Sequence, residues 1–384
     1  MNERRVLETL EPTLPSHYYF DPAHHRREMD VFWSRHWICV GTTGALAATG
    51  DYRVVEVDDQ SIVLTRANDG ELNAFHNTCR HRGSILCTDN AGRFHNDCIV
   101  CPYHAWTYGL DGALLRTPRR LPSTDFNAAN FSLYRVGACE WAGFAFINLS
   151  SDTNAPAEVA LQGMPSRFSN WQLDSGAVGH STSVELACNW KVFWENFEEC
   201  YHCPGVHPEL CQIVPLYGQG WTSPSDNPDW VPPEAGDVNT EPRLARGAQT
   251  WSMDGETVAP EFPALTPAQR RAGHTYAVSM PSCYFVGHID YARMVHMLPL
   301  GPETTRLEVH WLFNAQTLAQ DEINVEKIIA LGNLVVEQDA RACELNQRGL
   351  HSRRHSSGVL VPQEYSISNF HNWIREQLAV CAPL

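Results

Sequence analysis

Two short strings constrain this chain more than anything else in it: Cys79-Arg80-His81 and Cys101-Pro102-Tyr103-His104. A C-x-H pair and a C-x2-H pair offer two thiolates and two imidazoles, enough to close a four-ligand metal set if two loops face one another. Loops held side by side call for a small β scaffold, and the flanking pattern reads that way. DYRVVEV (51–57), SIVLTRA (61–67), LNAFHN (72–77), CIVCPY (98–103) and FAFINL (144–149) are short, β-branched or aromatic runs separated by Gly, Asp and Asn turns. They predict an all-β domain over 37–152. Gly83 and Pro102 suit the tight turns that ligand loops need. At 384 residues the chain has room for two or three domains.

The ligand set fits a Rieske [2Fe–2S] centre, in which two cysteines hold one iron and two histidines the other. Replacing two thiolates by neutral imidazoles raises the potential, so the centre can accept electrons from a low-potential donor. Zinc bound by the same four residues is the rival reading. Cys98 stands three residues before Cys101, but choosing it would leave His104 without a role. Cys87 and Cys98 therefore read as small packed thiols. The chain carries 13 cysteines, an odd number, and no apolar signal core at its start, which is poor material for disulfides and better material for metal.

A second constellation lies in ELACNWKVFWENFEECYH (185–202), which predicts a helix running until Pro204-Gly205 stops it. Asn196, Glu199 and His202, three apart, would share one face of that helix. His207 is off register, and the Pro204-Gly205 break would swing it back toward His202. Two histidines and one carboxylate leave half an octahedron open, the arrangement non-haem Fe(II) oxygenases use. The carboxylate is expected from a late helix over 321–346, with Asp339 preferred and Glu337 and Glu344 as competitors. Cys200 and Cys203 flank His202 and would suit a mixed thiolate zinc site, but thiolates on an O2-activating iron would be oxidised. Residues 1–36 read as an N-terminal arm with Asp21-Pro22 opening a helix. Residues 222–263, rich in Pro, Gly, Asp and Ser, read as a long loop that would close over the substrate. Strands return between 276 and 313.

From about Tyr18 to Leu378 the chain resembles the α subunits of Rieske non-haem iron oxygenases, the ring-hydroxylating oxygenase superfamily; CRHRG and CPYHAWTY carry the likeness at one site and ENFEECYHCPGVHPEL at the other. The resemblance implies an α+β protein: an N-terminal Rieske domain (37–152) and a catalytic domain (1–36 plus 153–384) with a twisted antiparallel sheet surrounded by helices. It implies that Cys79, His81, Cys101 and His104 bind the cluster and that His202, His207 and Asp339 bind mononuclear Fe(II). Glu199 would bridge His202 to His104 of the partner subunit in a head-to-tail homotrimer, and Asn196 would line the iron site. Electrons would come from NAD(P)H through a flavin or ferredoxin-type reductase.

The aromatic dihydroxylating branch carries Asp at the bridge, four residues after the Asn; here Glu199 stands three after Asn196. ECYHCPGVHPEL is similar instead to the branch acting on quaternary amines such as glycine betaine, stachydrine, choline and carnitine. That implies O2-dependent oxidation of an N-methyl group with release of formaldehyde. A quaternary ammonium asks for an aromatic cage, for which Phe193, Trp194, Trp251, Tyr284 and Tyr291 are the candidates. His288, sharing Tyr284's strand face at a period of two, would meet a substrate carboxylate. A hydroxylase of an aromatic acid or another small molecule is the alternative, and a Rieske electron-transfer protein without oxygenase chemistry is the alternative of another class.

Charge adds exclusions. The net charge of −16 argues against general nucleic-acid binding. No apolar run approaches the roughly 20 residues of a membrane span, so the expected location is the cytoplasm. Between Cys79 and Arg120, six arginines stand against three aspartates. This basic island is expected to dock an acidic electron donor.

Overall fold

A computed structural model describes residues 6–173, 176–229, 243–319 and 323–380. The chain divides into two units, Phe32–Pro165 with Ser279–Ser282, and Met1–Val31 with Ser166–Val278 and Cys283–Leu384.

In the first unit, alternating apolar residues build a seven-stranded antiparallel sheet in the order Ile38–Thr42, Phe144–Asn148, Arg135–Trp141, Leu72–His76, Gln60–Arg66, Asp51–Val57, Ala91–Arg93. Its hairpins are tight. Ala142 and Gly143 both take positive φ between the paired residues Trp141 and Phe144, the geometry of a two-residue primed turn. A smaller sheet of Cys98–Val100, Thr107–Gly109 and Leu114–Arg116 carries the second cysteine loop between its first two strands. Gly112 (φ +83°) turns the chain into the third strand; a Cβ there would stand 2.4 Å from Phe75, so no other residue fits.

The second unit is built on a five-stranded antiparallel sheet in the order Gly176–Leu186, Thr304–Asn314, Ala292–Gly301, Cys283–His288, His274–Ser279. Helices Trp190–Phe197, Val325–Leu350 and Tyr365–Val380 accompany it. Gly332 lets the long helix approach the sheet, since a Cβ would lie 2.8 Å from Trp311. The N-terminal arm is tied to this unit. Asp21 caps helix Pro22–Glu28 by accepting from the Ala23 and His24 amides. Glu28, fully buried, accepts from Lys191 Nζ (2.8 Å) and Trp190 Nε1 (2.9 Å). Lys191 is equally buried, and the pair is held by hydrogen bonds rather than left uncompensated.

Three expectations are corrected. The site helix stops at Phe197 instead of running through His202, so Asn196, Glu199 and His202 do not share one helical face. Pro204 does not end a helix; it opens the short turn Cys203–Val206, where its missing amide costs nothing. The late helix continues past Asn346 to Leu350, with no Pro to stop it there. Its expected start at 321 and residues 230–242 of the long loop lie outside the described residues. No helix among the described residues is long and apolar enough to cross a membrane.

Candidate metal centres and substrate pocket

The helix Trp190–Phe197 delivers Asn196, and the turn after it delivers Glu199 and His202. Glu199 grips His202 twice: Oε2 accepts from the His202 amide (3.0 Å) and Oε1 from ring Nδ1 (2.6 Å). That double contact fixes the tautomer and leaves Nε2 with a free lone pair. His207 is fixed in the same way, its Nδ1–H donating to Gln338 Oε1 (2.8 Å), while Gln338 Nε2 donates to Glu209 (2.9 Å). The released nitrogens converge. His202 Nε2 lies 3.2 Å from His207 Nε2, and Asp339 Oδ1 lies 2.8 Å from His207 Nε2 and 3.5 Å from His202 Nε2. Asn196 Nδ2 is 3.4 Å from His202 Nε2.

The charge balance at this point calls for a cation. Burial opposes the charged forms of Asp339 and both histidines. Yet contacts with His202 and His207 hold the Asp339 carboxyl below its usual range, and Asp339, Cys203 and Glu199 lift His202 to about 12. Two imidazole nitrogens and one carboxylate oxygen thus meet within ligand distance of one another, the donor set a divalent ion takes. Glu337 is exposed and Glu344 accepts from the Ala187 amide, so neither competitor joins the group. Cys203 Sγ is 3.9 Å from His202 Nε2.

Beside this group lies a cavity of about 250 Å3. Phe193, Trp251 and Tyr284 line it, as do four residues that sequence reasoning missed: Phe197, Glu198, Tyr276 and Arg293. Phe197 stacks on Tyr284 at 3.8 Å and meets Tyr276 edge-on at 6.4 Å. Glu198 accompanies them, its carboxyl lifted to about 7 by burial. Arg293 is 6% exposed, its Cζ 5.8 Å from the Trp251 ring, and neither Arg293 Nε nor Trp251 Nε1 has a hydrogen-bond partner among the described residues. One signal could have found Arg293, a lone cation inside the apolar strand ARMVHMLPL.

Three expected substrate residues, the wall candidates Trp194 and Tyr291 and the carboxylate partner His288, are not in the cavity lining. Trp194 is wholly buried behind Tyr284 and Phe197. Tyr291 turns its hydroxyl to donate to the Trp251 carbonyl (2.9 Å). His288 does share Tyr284's side of the sheet, but Tyr291 stacks on it at 4.2 Å and Trp251 covers it at 5.3 Å, leaving it 0% exposed. Burial holds its imidazole neutral, so it offers no charge to a carboxylate.

In the β unit two similar turns present the four expected cluster residues. The Gly83 amide donates to Cys79 O (2.9 Å), and the Ala105 amide to Cys101 O (3.0 Å). Both cysteines are buried, whereas His81 and His104 are exposed with ring centroids 4.7 Å apart. Inner thiols and outer imidazoles are the donor set a Rieske cluster requires, and His81 is braced by stacking on Trp106 at 4.9 Å. Tyr108, also missed from sequence, accepts from the Arg80 amide and places its hydroxyl 3.2 Å from Cys79 Sγ. Of the arginines in the basic island, Arg80, Arg93 and Arg120 brace Tyr134, Asp51 and Phe126, while Arg82, Arg116 and Arg119 are exposed.

A sulfur-and-imidazole set in one unit and a two-histidine, one-carboxylate set in the other define an iron-dependent oxidoreductase of the Rieske oxygenase class. The chain belongs to the ring-hydroxylating α-subunit family: the model "Ring hydroxylating alpha subunit (catalytic domain)" matches residues 173–380, and "Rieske [2Fe-2S] domain" matches 36–127. The oxygenase subunit of glycine betaine monooxygenase from Chromohalobacter salexigens is 29% identical over 95% of this chain and 86% of its own length. The oxygenase subunit of carnitine monooxygenase from Acinetobacter baumannii is 30% identical over 89% of this chain and 86% of its own. The crystal structure of the quaternary ammonium Rieske monooxygenase CntA with an inhibitor superposes with a TM-score of 0.71 at 24% identity, covering 96% of both chains. The family's cofactors are a Rieske [2Fe–2S] cluster and mononuclear iron, and a reductase supplies its electrons.

Proposed function

We propose that this oxygenase oxidises an N-methyl group of a betaine, a substrate carrying both a quaternary ammonium and a carboxylate. The observation that carries the reading is the buried Arg293 Nε beside Trp251 Nε1 in the pocket wall, both without a hydrogen-bond partner among the described residues. A buried guanidinium without a counter-ion is costly, and a substrate carboxylate would complete it. Phe197, Tyr276 and Tyr284 supply π faces for the ammonium, each desolvated cation–π contact contributing roughly 0.5–2 kcal/mol. Glu198 adds a carboxylate that a bound cation would keep ionised.

Iron held by His202, His207 and Asp339 would supply the activation of O2. Asn196 would line that site, and Glu199 would hold His202 in its ligating tautomer. Glu199 also lines a second recess, of about 310 Å3, together with Glu195, His355 and Glu364. A neighbouring subunit would enter there in a head-to-tail homotrimer, so that Glu199 accepts from His104 of the partner subunit and links the two redox centres. In balance, R–N(CH3)3+ with O2, two electrons and two protons gives R–N(CH3)2CH2OH+ and water. The hydroxymethyl group then loses its proton, the C–N bond breaks, and formaldehyde leaves the tertiary amine.

The test is anaerobic reconstitution with iron and a generic reductase, followed by a panel of betaines, choline and aromatic acids. Formaldehyde release dependent on a betaine is the expected result. A hydroxylated aromatic product without formaldehyde would overturn the substrate assignment, and reduction without any oxygenated product would favour an electron-transfer protein.

A further inference from the structure

We propose that His296, Glu308 and His310 form a second divalent-cation site, of the zinc class, on the face of the catalytic sheet turned away from the substrate pocket. Strand register alone brings them together. His296 on Ala292–Gly301 pairs directly with Glu308 on Thr304–Asn314, and His310 follows Glu308 by two residues, on the same face. Arg293, which lines the substrate pocket, is three residues from His296 along an unbroken register and so points to the opposite face. The site is therefore separate from the His202–His207–Asp339 group.

The donor atoms are already at ligand spacing. His296 Nε2 and His310 Nε2 are 3.1 Å apart, and Glu308 Oε2 lies 3.3 Å from the first and 3.5 Å from the second. A tetrahedral zinc with bonds near 2.1 Å sets its ligand atoms about 3.4 Å apart. The two rings lie within 6° of parallel at 5.2 Å, so both present their Nε2 edges to one point. His310 Nδ1 lies 2.7 Å from Ser181 Oγ; donating there, it leaves the Nε2 lone pair for a metal, as outer partners of zinc histidines commonly do. His296 and His310 are 2% and 4% exposed, while the Glu308 side chain is 31% exposed. Its open side gives an ion entry and leaves the fourth position to water.

Two imidazole nitrogens and one carboxylate oxygen favour zinc over calcium or magnesium, which prefer all-oxygen sets.

The experiment uses the iron-loaded protein, equilibrated with zinc chloride, washed, and analysed for iron and zinc together. The expected result is one equivalent of zinc per chain with the iron content unchanged, an X-ray absorption edge showing imidazole ligation, and a thermal midpoint that rises with zinc concentration. Glu308→Gln, which keeps the side chain's shape, and His310→Ala should each lose that equivalent and the thermal shift while keeping their iron. Ser181→Ala should weaken zinc binding roughly 10-fold. Absence of bound zinc in the unsubstituted protein overturns the proposal. So does zinc that survives both substitutions, or zinc that disappears only with His202→Ala, which would place it in the iron site.

Discussion

Arg293→Met gives the sharpest test of how the pocket selects its substrate. The substitution keeps an unbranched apolar stem and removes a guanidinium whose Nε has no hydrogen-bond partner among the described residues, in the wall of a cavity of about 250 Å3. Hydrogen bonds to a charged partner contribute about 1.5–3 kcal/mol, so losing the carboxylate contact should lower kcat/KM for glycine betaine roughly 10- to 150-fold. Choline carries the same trimethylammonium group and no carboxylate, so its kcat/KM should hold or rise. The ratio of the two, read by reductase-driven formaldehyde release, is the decisive quantity. Stability provides a second reading: deleting a buried charge that forms no ion pair among the described residues should leave the thermal midpoint unchanged or higher. Equal losses for betaine and choline, or an unchanged betaine value, would refute the assignment of Arg293 to the carboxylate.

Three further outcomes are expected. Burial lifts the Glu198 carboxyl to about 7, and a cation binds its ionised form, so KM for a quaternary ammonium substrate should fall as pH rises from about 6 to 8; Glu198→Gln should flatten that profile, and an unaltered profile would exclude Glu198. Glu199→Gln should cut reductase-driven turnover roughly 10- to 100-fold with the iron at both centres retained by metal analysis; normal coupled turnover would show that electrons do not pass through Glu199. Arg119→Glu should reduce donor-driven turnover most strongly at low salt and spare chemically reduced single turnover; equal loss in both assays would reject donor docking at the basic island.

Local spacing carried most of what could be read in advance. Cys79, His81, Cys101 and His104 lie within two turns, and His202 and His207 within one bend, so the backbone between them decides their convergence and the sequence displays it. Where a helix ends is less legible. The residues after Phe197 carry no Gly or Pro until Pro204, yet the chain leaves the helix at Phe197 and Glu199 binds the His202 amide instead. Trp194, Tyr291 and His288 show the limit from another side. Their spacing suits a pocket, but packing covers them, and periodicity in one strand says nothing about what lies over it.

The sequence by itself pointed to the two candidate donor sets and determined the α+β fold class and the class of chemistry, because the motifs that carry them are short and local. Tertiary structure decided which distant groups complete them. Asp339 meets His207 across 132 residues. Glu337 and Glu344 miss because at about 100° per residue they point to other sides of the same helix. Arg293, Glu198 and the His296–Glu308–His310 cluster are likewise products of strand register and burial. A side chain's charge is written in the sequence, but whether that charge is buried, paired or left waiting for a ligand depends on what the fold packs around it.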